Sequence, residues 1–208
     1  MVHGKFITLE GGEGAGKTTQ VAYIKEFLES RAQRVLLTRE PGGSAGAELI
    51  RGLLVDREAY SWDALTEYLL FTAARRDHIL KTIKPALEEG IWVICDRFYD
   101  SSIAYQGYAQ HLSLEILTTI YNFISEGVTP DLTLILDITP EIGLTRAHKR
   151  ASHEDRFEHM NLQFHHEVRK GFLEIAKNHP ERCIVINAEE SEPQIKDTLL
   201  KTIQSHLF

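Results

Sequence analysis

The most specific chemical feature of the sequence is a glycine-rich loop at residues 11–18, which reads GGEGAGKT. It fits the pattern G-x-x-x-x-G-K-[ST], with an apolar run before it and an amphipathic stretch after it. In such a loop the backbone N–H groups curl around phosphate oxygens, which requires glycines that accept positive φ angles. The spacing predicts that Lys17 reaches the β- and γ-phosphates of a nucleotide and that Thr18 binds Mg²⁺. The residues expected to bind this nucleotide are Gly11, Gly12, Glu13, Gly14, Ala15, Gly16, Lys17, Thr18 and Thr19.

Charged residues follow two further apolar runs at the points where those runs end. Arg39 follows the second run, Asp96 ends the third run and Arg97 comes next. Because the carboxyl ends of parallel strands meet at one edge of a sheet, these side chains and the loop should converge. Asp96 is placed to bind Mg²⁺ with Thr18, directly or through water. A guanidinium grips phosphate in bidentate geometry, so Arg39 and Arg97 predict a second anionic substrate opposite the nucleotide.

Phe71 and Arg75 are four residues apart in a stretch with helical periodicity, so they should share one helix face. Phe71 could stack on a planar base while Arg75 donates a hydrogen bond to a carbonyl oxygen of that base. An aromatic residue at helical spacing is also what an ordinary core position contains. The pattern alone leaves both interpretations open.

The elements that must position these residues can be predicted from hydrophobic periodicity. Five runs rich in Ile, Val and Leu predict strands that are covered on both faces, since polar residues do not alternate within them. Alternation with helical stretches predicts an α/β fold of the P-loop NTPase type, with a five-stranded parallel sheet flanked by helices in three layers and a small lid. The predicted strands are 5–9, 35–38, 91–95, 132–136 and 183–186. The predicted helices are 17–31, 45–55, 62–89, 114–125, 140–149, 161–177 and 193–206.

Several single residues predict where these elements begin and end. Pro85 should kink or break the longest helix. Pro140 fits the first turn of its helix, with Thr139 as the N-cap. Asp137 ends the fourth strand and is expected to cap the loop beside Thr139. The most polar stretch, 146–159, is predicted to be a mobile surface segment.

Composition excludes several classes of protein. The 208 residues suit one domain with a full core, and the net charge of −7 argues against a nucleic-acid binder. Cys95 and Cys183 have no zinc or CxxC spacing, so we expect buried thiols in a reducing compartment. No signal-peptide pattern and no run of about 20 apolar residues occurs, so we expect a cytoplasmic protein without a membrane partner. We expect a solvated polar face from His148, His153, His159, His165 and His166.

The arginines decide between the classes of protein that carry such a loop. A GTPase switch is rejected, because no asparagine is followed by lysine and no aspartate has glycine three positions later. A nucleic-acid motor would be larger and more basic. A deoxynucleoside kinase would need a general base and fewer arginines for the acceptor, and a regulatory ATP-dependent switch would have no acceptor. Arg39 and Arg97 favour a kinase whose acceptor carries a phosphate.

At this point the sequence resembles the thymidylate kinase family. The resemblance spans nearly the whole chain, and TREPGG and DRFYDSSIAYQG are specific to this family among P-loop kinases. It implies transfer of the γ-phosphoryl of ATP to dTMP, with Mg²⁺, in a homodimer that contributes to dTTP synthesis. The alternative is another deoxynucleoside or nucleoside monophosphate kinase. The resemblance is carried by EGGEGAGKTTQ, TREPGG, LLFTAARRDH, IKPALEEG, VICDRFYDSSIAYQG, PDLTLILD and EDRFE.

The resemblance also implies roles for single residues within one nucleoside monophosphate kinase domain, 1–208. Arg39 and Arg97 are similar to the clamp on the dTMP phosphate, and both join Lys17 in the implied catalytic set. Phe71 is similar to the ring that stacks on thymine, and Arg75 to the donor to the base. The deoxyribose and base side also includes Glu13, Ser101, Tyr105 and Gln106, of which Glu13 is expected near the 3′-hydroxyl.

One position departs from part of the family. Some members have a catalytic arginine directly after the acid of the loop, where this chain has Gly14. The basic residues are instead in a segment, about 146–159, that resembles the lid over ATP. We expect Arg150 to serve the transferring phosphoryl group and Arg146 to bind the adenine or ribose of ATP. The other two basic residues of this segment are Lys149 and Arg156.

Overall fold

The computed structural model of the chain describes residues 3–56, 61–149 and 156–208. Five parallel strands form one sheet in the order β2-β3-β1-β4-β5. The predicted parallel sheet is confirmed, although each strand extends one or two residues further at its carboxyl end. Polar residues there still pair in the ladder, since Arg39 lies opposite Asp96. The strands are β1 (Phe6–Gly11), β2 (Val35–Arg39), β3 (Trp92–Asp96), β4 (Leu132–Asp137) and β5 (Cys183–Asn187).

Burial differs between the middle and the edges of the sheet. The three middle strands, β1, β3 and β4, are covered on both faces, as predicted. The prediction is wrong for the two edge strands, where Leu37 of β2 is 38% exposed and Val185 of β5 is 42% exposed. An edge strand has a neighbouring strand on one side only, and the flanking helices cover it incompletely.

Each predicted helix is present within two residues of its expected ends, except that the longest is divided. The stretch predicted as 62–89 consists of α3, a π-helical segment at Ile79–Ile83, and α4, with Pro85 in the first turn of α4. The predicted interruption near Pro85 takes the form of this π-helical segment, and the chain stays helical from Ala64 to Glu88. The helices are α1 (Lys17–Ser30), α2 (Ala45–Val55), α3 (Ala64–His78), α4 (Lys84–Glu88), α5 (Tyr99–Ser102), α6 (Leu114–Ile124), α7 (Pro140–Ala147), α8 (Leu162–Asn178) and α9 (Glu192–Leu207).

A helical segment that periodicity did not predict follows β3. It comprises α5 and a π-helical continuation, Ile103–Ala109, and it packs closely on α8. A Cβ added at Gly171 of α8 would lie 3.0 Å from the Cα of Ala104, so the two backbones approach as closely as glycine permits. Polar and apolar residues in 99–109 do not follow a helical period, so tertiary packing, mainly on α8, stabilises the helical form.

The hydrophobic core lies in two layers, one on each face of the sheet. On one face Ile7 and Leu9 of β1 pack with α1 and α9, and on the other Phe6 of β1 packs with the π-helical segment Ile79–Ile83, α4 and α6. Full burial of one such side chain contributes about 1.5–3 kcal/mol. Cys95 and Cys183 are buried free thiols, as predicted. Within the described ranges, no helix has the length and apolar character needed to cross a bilayer.

Helix α7 and the 3₁₀ turn that follows it in the chain contain the described ends of the predicted lid segment, 146–159. Thr139 occupies the N-cap position of α7, but its side chain makes no capping bond within the described part of the chain. The predicted N-cap position of Thr139 and first-turn position of Pro140 are confirmed. The Thr139 backbone N–H donates to Glu189 Oε1 at 3.0 Å. Helix α7 ends at Ala147, and Arg156–His159 form a 3₁₀ turn. Residues 150–155, with Arg150, lie outside the described residues, so their predicted mobility stays a prediction.

Candidate active site

The glycine-rich loop joins β1 to α1, which begins at Lys17. Gly14 and Gly16 have φ angles of +68° and +88°, which glycine adopts without strain. Gly14 also lies against Gly143 of α7, because a Cβ built on Gly14 would be only 1.9 Å from the Gly143 carbonyl oxygen. The predicted phosphate-binding loop therefore has the backbone that such loops require, and it packs directly on α7.

Lys17 is folded into this loop. Its Nζ donates to the carbonyl oxygens of Gly11 at 3.0 Å and of Gly12 at 2.9 Å. Burial, together with the positive charge of Arg97, lowers the pKa of Lys17 to about 8. An incoming phosphate would favour the charged amine, because it adds negative charge next to Nζ.

Thr18 and Asp96 lie side by side at the carboxyl ends of β1 and β3. The Thr18 hydroxyl donates to Asp96 Oδ2 at 3.4 Å. A hydroxyl and a carboxylate are hard oxygen ligands, which suits a magnesium-type cation. No group of three or more His, Cys, Asp or Glu that could hold a metal occurs among the residues the structure describes. A cation here would therefore take most of its oxygens from nucleotide phosphates and water.

Arg97 connects the end of β3 to the loop. Its Nη2 donates to Glu13 Oε1 at 2.9 Å, and its Nη1 donates to the Gly11 carbonyl oxygen at 2.8 Å and to Ser101 Oγ at 3.3 Å. The Tyr105 hydroxyl donates to the same Glu13 oxygen at 2.8 Å. Burial opposes ionisation of Glu13, but the charges of Arg97 and Lys17 outweigh it and lower the pKa of Glu13 to about 2.

Glu10 is a site residue that the sequence did not reveal. It is fully buried, its Oε1 accepts from the Phe98 backbone N–H at 2.8 Å, and its Oε2 accepts from Ser101 Oγ at 2.6 Å. Burial, and then the negative charge of Asp100, raise the pKa of Glu10 to about 8. Arg97 has a left-handed φ of +66°, a strained conformation for a residue with a side chain. Glu10 holds the backbone that follows Arg97 in place.

A cavity of about 170 Å³ opens beside Glu13 and Arg97. All but one of the eight residues predicted to bind dTMP line it: Glu13, Phe71, Arg75, Arg97, Ser101, Tyr105 and Gln106. Residues that the sequence analysis did not assign to the site also line it, namely Glu40, Pro41, Arg51, Val55, Phe98, Ser102, Phe157 and Glu158. Such a cavity suits a small ligand with one planar apolar part and one anionic group.

Arg39 is the predicted residue that does not occur in the described lining of this cavity. Its side chain is 53% exposed and its Nη2 lies 3.3 Å from Glu48 Oε2. Successive residues of an extended chain point to opposite sides, so Glu40 faces the cavity and Arg39 points away. Arg51 of α2 lies at the cavity wall, where its Nη1 donates to the Pro41 carbonyl oxygen at 2.5 Å. No local motif distinguishes Arg51 from other helical arginines.

Arg75 is held in a buried network. It is 2% exposed, its Nε donates to Glu40 Oε2 at 2.7 Å, and its Nη2 donates to Phe98 O at 3.2 Å and Ser102 Oγ at 3.1 Å. His78 Nδ1 lies 3.0 Å from the other Glu40 oxygen. Arg75 is thus fixed before any ligand binds, one helical turn after Phe71 on the cavity face of α3.

Arg156 is not placed as expected for a lid residue over ATP. Its Nη2 donates to Glu67 Oε2 at 2.6 Å and its Nη1 to the Leu54 carbonyl oxygen at 2.9 Å. Phe157 follows it in the cavity wall, edge-on to Tyr105 with ring centroids 5.4 Å apart. Arg156 therefore lies on the cavity side of the molecule. Its partner Glu67 in α3 gives no sequence signal, because the residues that contact it are far away in the chain.

Neither Arg146 nor Asp137 belongs to the described lining of the cavity. Arg146 Nη1 donates to the Ala188 carbonyl oxygen at 2.9 Å, just beyond β5. The expected capping by Asp137 is wrong, because both of its oxygens accept from Arg169, at 2.7 and 2.8 Å. The expected solvated histidine face is also wrong for His165, which is 4% exposed because α8 turns it towards the loop.

Comparison with known proteins gives consistent similarities along the chain. The sequence model of the family described as "Thymidylate kinase" matches residues 9–199. The thymidylate kinase of Magnetococcus marinus is 43% identical over 207 residues, covering 100% of this chain and 99% of that protein. That of Caulobacter vibrioides is 48% identical over 189 residues, covering 91% and 90%. The crystal structure of thymidylate kinase from Ehrlichia chaffeensis superposes with a TM-score of 0.79 at 37% identity, covering 97% and 99%.

Proposed function

The chain belongs to the thymidylate kinase family, and we propose that it binds dTMP in the cavity beside Arg97 and ATP along the glycine-rich loop. The reaction transfers the γ-phosphoryl of ATP to dTMP, giving ADP and dTDP. The observation that supports this placement best is that Glu13 is part of the loop and also of the cavity wall. An acceptor phosphate bound by Arg97 would therefore lie next to the γ-phosphate.

The proposed mechanism is alignment and charge neutralisation. The acceptor oxygen of dTMP is already ionised at neutral pH, so the protein needs no general base. Arg97 holds the acceptor phosphate, and Lys17 neutralises charge on the transferring group. Phe71 stacks on thymine and Arg75 donates to a carbonyl oxygen of the base. Tyr105, Ser101 and Gln106 border the sugar and base, and Glu13 approaches the 3′-hydroxyl.

The family uses ATP with a divalent cation, and we assign Mg²⁺ to this chain. Thr18 and Asp96 would hold it, because their oxygens are adjacent at 3.4 Å and are of the type that Mg²⁺ prefers. When bound, the cation neutralises charge on the phosphates. Thr18 and Asp96 then orient the triphosphate relative to Lys17.

The arginines of the proposed site fall into two groups. Arg150 is proposed to serve the transferring phosphoryl group, and Arg146, beside Ala188, to bind the adenine or ribose. Arg39 is proposed as part of the phosphate clamp, in which case its guanidinium must leave Glu48 when dTMP binds. Arg51 is added to the clamp because it already borders the cavity.

We also propose that one domain, 1–208, forms a cytoplasmic homodimer. The two buried free thiols suit a reducing compartment. The exposed apolar side chains of α2, α3 and α6 suit a second copy of the chain, because such a cluster would otherwise face water. These side chains include Leu49 at 80%, Leu53 at 48%, Leu69 at 48%, Ile116 at 43% and Phe123 at 89% exposed.

A panel assay tests the proposed substrates. ATP and Mg²⁺ are supplied with each nucleoside and each nucleoside monophosphate, and ADP release is followed with a coupled enzyme. We expect dTMP to be the best acceptor. Preference for another nucleoside monophosphate or for a deoxynucleoside would contradict dTMP as the substrate and would favour the alternative kinase activities. ADP release without any acceptor would contradict the proposed phosphoryl transfer.

A further inference from the structure

Glu67 is a fully buried carboxylate directly behind the wall of the proposed base site. Its Oε1 accepts from Gln106 Nε2 at 2.8 Å and from Gln110 Nε2 at 2.7 Å, and its Oε2 accepts from Arg156 at 2.6 Å. The described lining of the cavity includes Gln106 but not Glu67. A bound base would therefore touch the Gln106 amide and not the carboxylate behind it.

The carboxylate determines which end of the Gln106 amide reaches the base. A carboxylate paired with Arg156 only accepts hydrogen bonds, so the NH₂ group of Gln106 must face Glu67. The carbonyl oxygen, Oε1, is then on the opposite side of the amide. Within the described residues, Gln106 Oε1 has no donor, and it is not one of the fully shielded polar atoms that lack a partner. This oxygen is consequently presented to the cavity as an acceptor.

An acceptor at this position distinguishes between pyrimidines. Thymine has a donor at N3 and an acceptor at O4, whereas cytosine has an acceptor at N3 and a donor amine at C4. Gln106 Oε1 and the Arg75 guanidinium thus offer an acceptor and a donor in the lining of one cavity, and this pair matches thymine. Cytosine would place acceptor against acceptor and donor against donor, and buried polar groups left unpaired in this way are costly.

We propose that Glu67 is a positioning residue for base selectivity, which it sets by fixing the orientation of the Gln106 amide. The proposal rests on the base site assigned above. Arg75 contributes to selectivity independently, because Glu40 and not Glu67 holds it. Glu67 therefore controls the N3 edge of the base, and Glu40 with Arg75 controls the C4 edge.

The test compares dTMP and dCMP as acceptors for the wild-type enzyme and Glu67→Gln. The substitution keeps the shape of the side chain but adds an NH₂ group that can donate to Gln106 Oε1, so the Gln106 amide is free to reverse. We expect the ratio of kcat/KM for dTMP over dCMP to fall about tenfold, with the KM for ATP changed less than twofold. The ratio is independent of the fraction of folded enzyme, because both substrates are measured on one preparation.

Gln110→Met is the matched control. It removes another hydrogen bond from the same Glu67 oxygen but leaves Glu67 a pure acceptor, so the ratio should stay at the wild-type value. An unchanged ratio in Glu67→Gln, or an equal fall in Gln110→Met, overturns the proposal. If Glu67→Gln does not fold, Gln106→Met replaces it, and a wild-type ratio in that variant overturns the proposal as well. A wild-type enzyme that does not prefer dTMP would instead contradict the proposed base site itself.

Discussion

Arg97 and Glu13 join the end of β3 to the glycine-rich loop by an ion pair, with 2.9 Å between Nη2 and Oε1. The pair borders the acceptor cavity and the nucleotide loop at once. A phosphate group that enters the cavity would find Arg97 already oriented and would compete with Glu13 for it. Arg97 is thus already positioned to bind a phosphate, and the Glu13 carboxylate is its anionic partner in this structure.

Arg97→Ala should weaken dTMP binding about 10- to 100-fold and ATP binding much less. The reason is that a charge-assisted hydrogen bond to phosphate contributes about 1.5–3 kcal/mol, and we assign that bond to the acceptor. Titration calorimetry with each nucleotide measures both affinities. Arg76→Ala is the control, since Arg76 pairs with Glu126 at the surface. Equal weakening of both nucleotides would place Arg97 elsewhere in the mechanism.

Lys17→Ala should abolish phosphoryl transfer while dTMP binding falls only modestly. Lys17 Nζ lies within the loop that is proposed to hold the triphosphate, and its charge is needed on the transferring group. The measurements are single-turnover transfer and dTMP titration on one preparation. Turnover at the wild-type rate would refute the assignment of the loop.

Glu10→Gln should change how stability depends on pH. The pKa of Glu10 is raised from 4.5 to about 8 in the folded protein, so the folded state holds a proton that the unfolded state releases. The stability from this proton is fully present below about pH 4.5 and is lost as the pH rises through about 8. Urea unfolding from pH 5 to 8 should therefore show a smaller fall in the free energy of unfolding for the variant than for the wild type. Parallel curves for the two proteins would exclude a proton on Glu10.

Arg150→Ala and Arg156→Ala should have opposite kinetic signatures. Arg150 is proposed to stabilise the transferring group, so its loss should lower kcat by at least tenfold with little change in the KM for dTMP. Arg156 holds Glu67 and the chain before Phe157, so its loss should raise the KM for dTMP more than the KM for ATP. Steady-state kinetics with each substrate varied separates the two. If both variants lowered kcat to the same extent, the result would support the original assignment of Arg156 to the lid over ATP.

Phe123→Lys should convert the proposed dimer to a monomer. Phe123 of α6 is 89% exposed, and a buried unpaired charge would oppose association of two apolar faces. Analytical ultracentrifugation gives the mass of each species. Leu173→Lys on α8, outside the proposed interface, should leave the mass unchanged. A wild-type protein that is itself monomeric would refute the dimer.

The sheet and most helices could be predicted because their signals are local. Runs such as 132–136 show their burial in their own composition, and the loop shows its function in eight residues. The buried carboxylates could not be predicted in this way. Glu10, Glu40 and Glu67 each accept hydrogen bonds from donors in distant parts of the chain. No residue next to them in the sequence indicates those donors.

Arg39 and Arg75 show a second limit of local patterns. Both are arginines in plausible positions, but the direction of the side chain decides what each one touches. Neighbouring side chains of an extended strand point to opposite sides, so Arg39 points away from the cavity when Glu40 points into it. Which of the two faces the cavity depends on the exact residue at which β2 ends. For Arg75 the pattern left a core position and a base site open, and the structure puts a buried guanidinium at the cavity wall.

The contact between Gly14 and Gly143 restricts how this protein can have diverged. A Cβ on Gly14 would be 1.9 Å from the Gly143 carbonyl oxygen, and a Cβ on Gly143 would be 2.4 Å from the Glu13 carbonyl oxygen. Relatives with an arginine after the loop acid cannot share this arrangement of loop and α7. An evolutionary path between a loop arginine and a lid arginine must therefore shift α7 as well as exchange the side chain. A laboratory transplant of the loop arginine would have to move the backbone of α7 away from the loop, because no side-chain exchange at residue 143 removes its carbonyl oxygen.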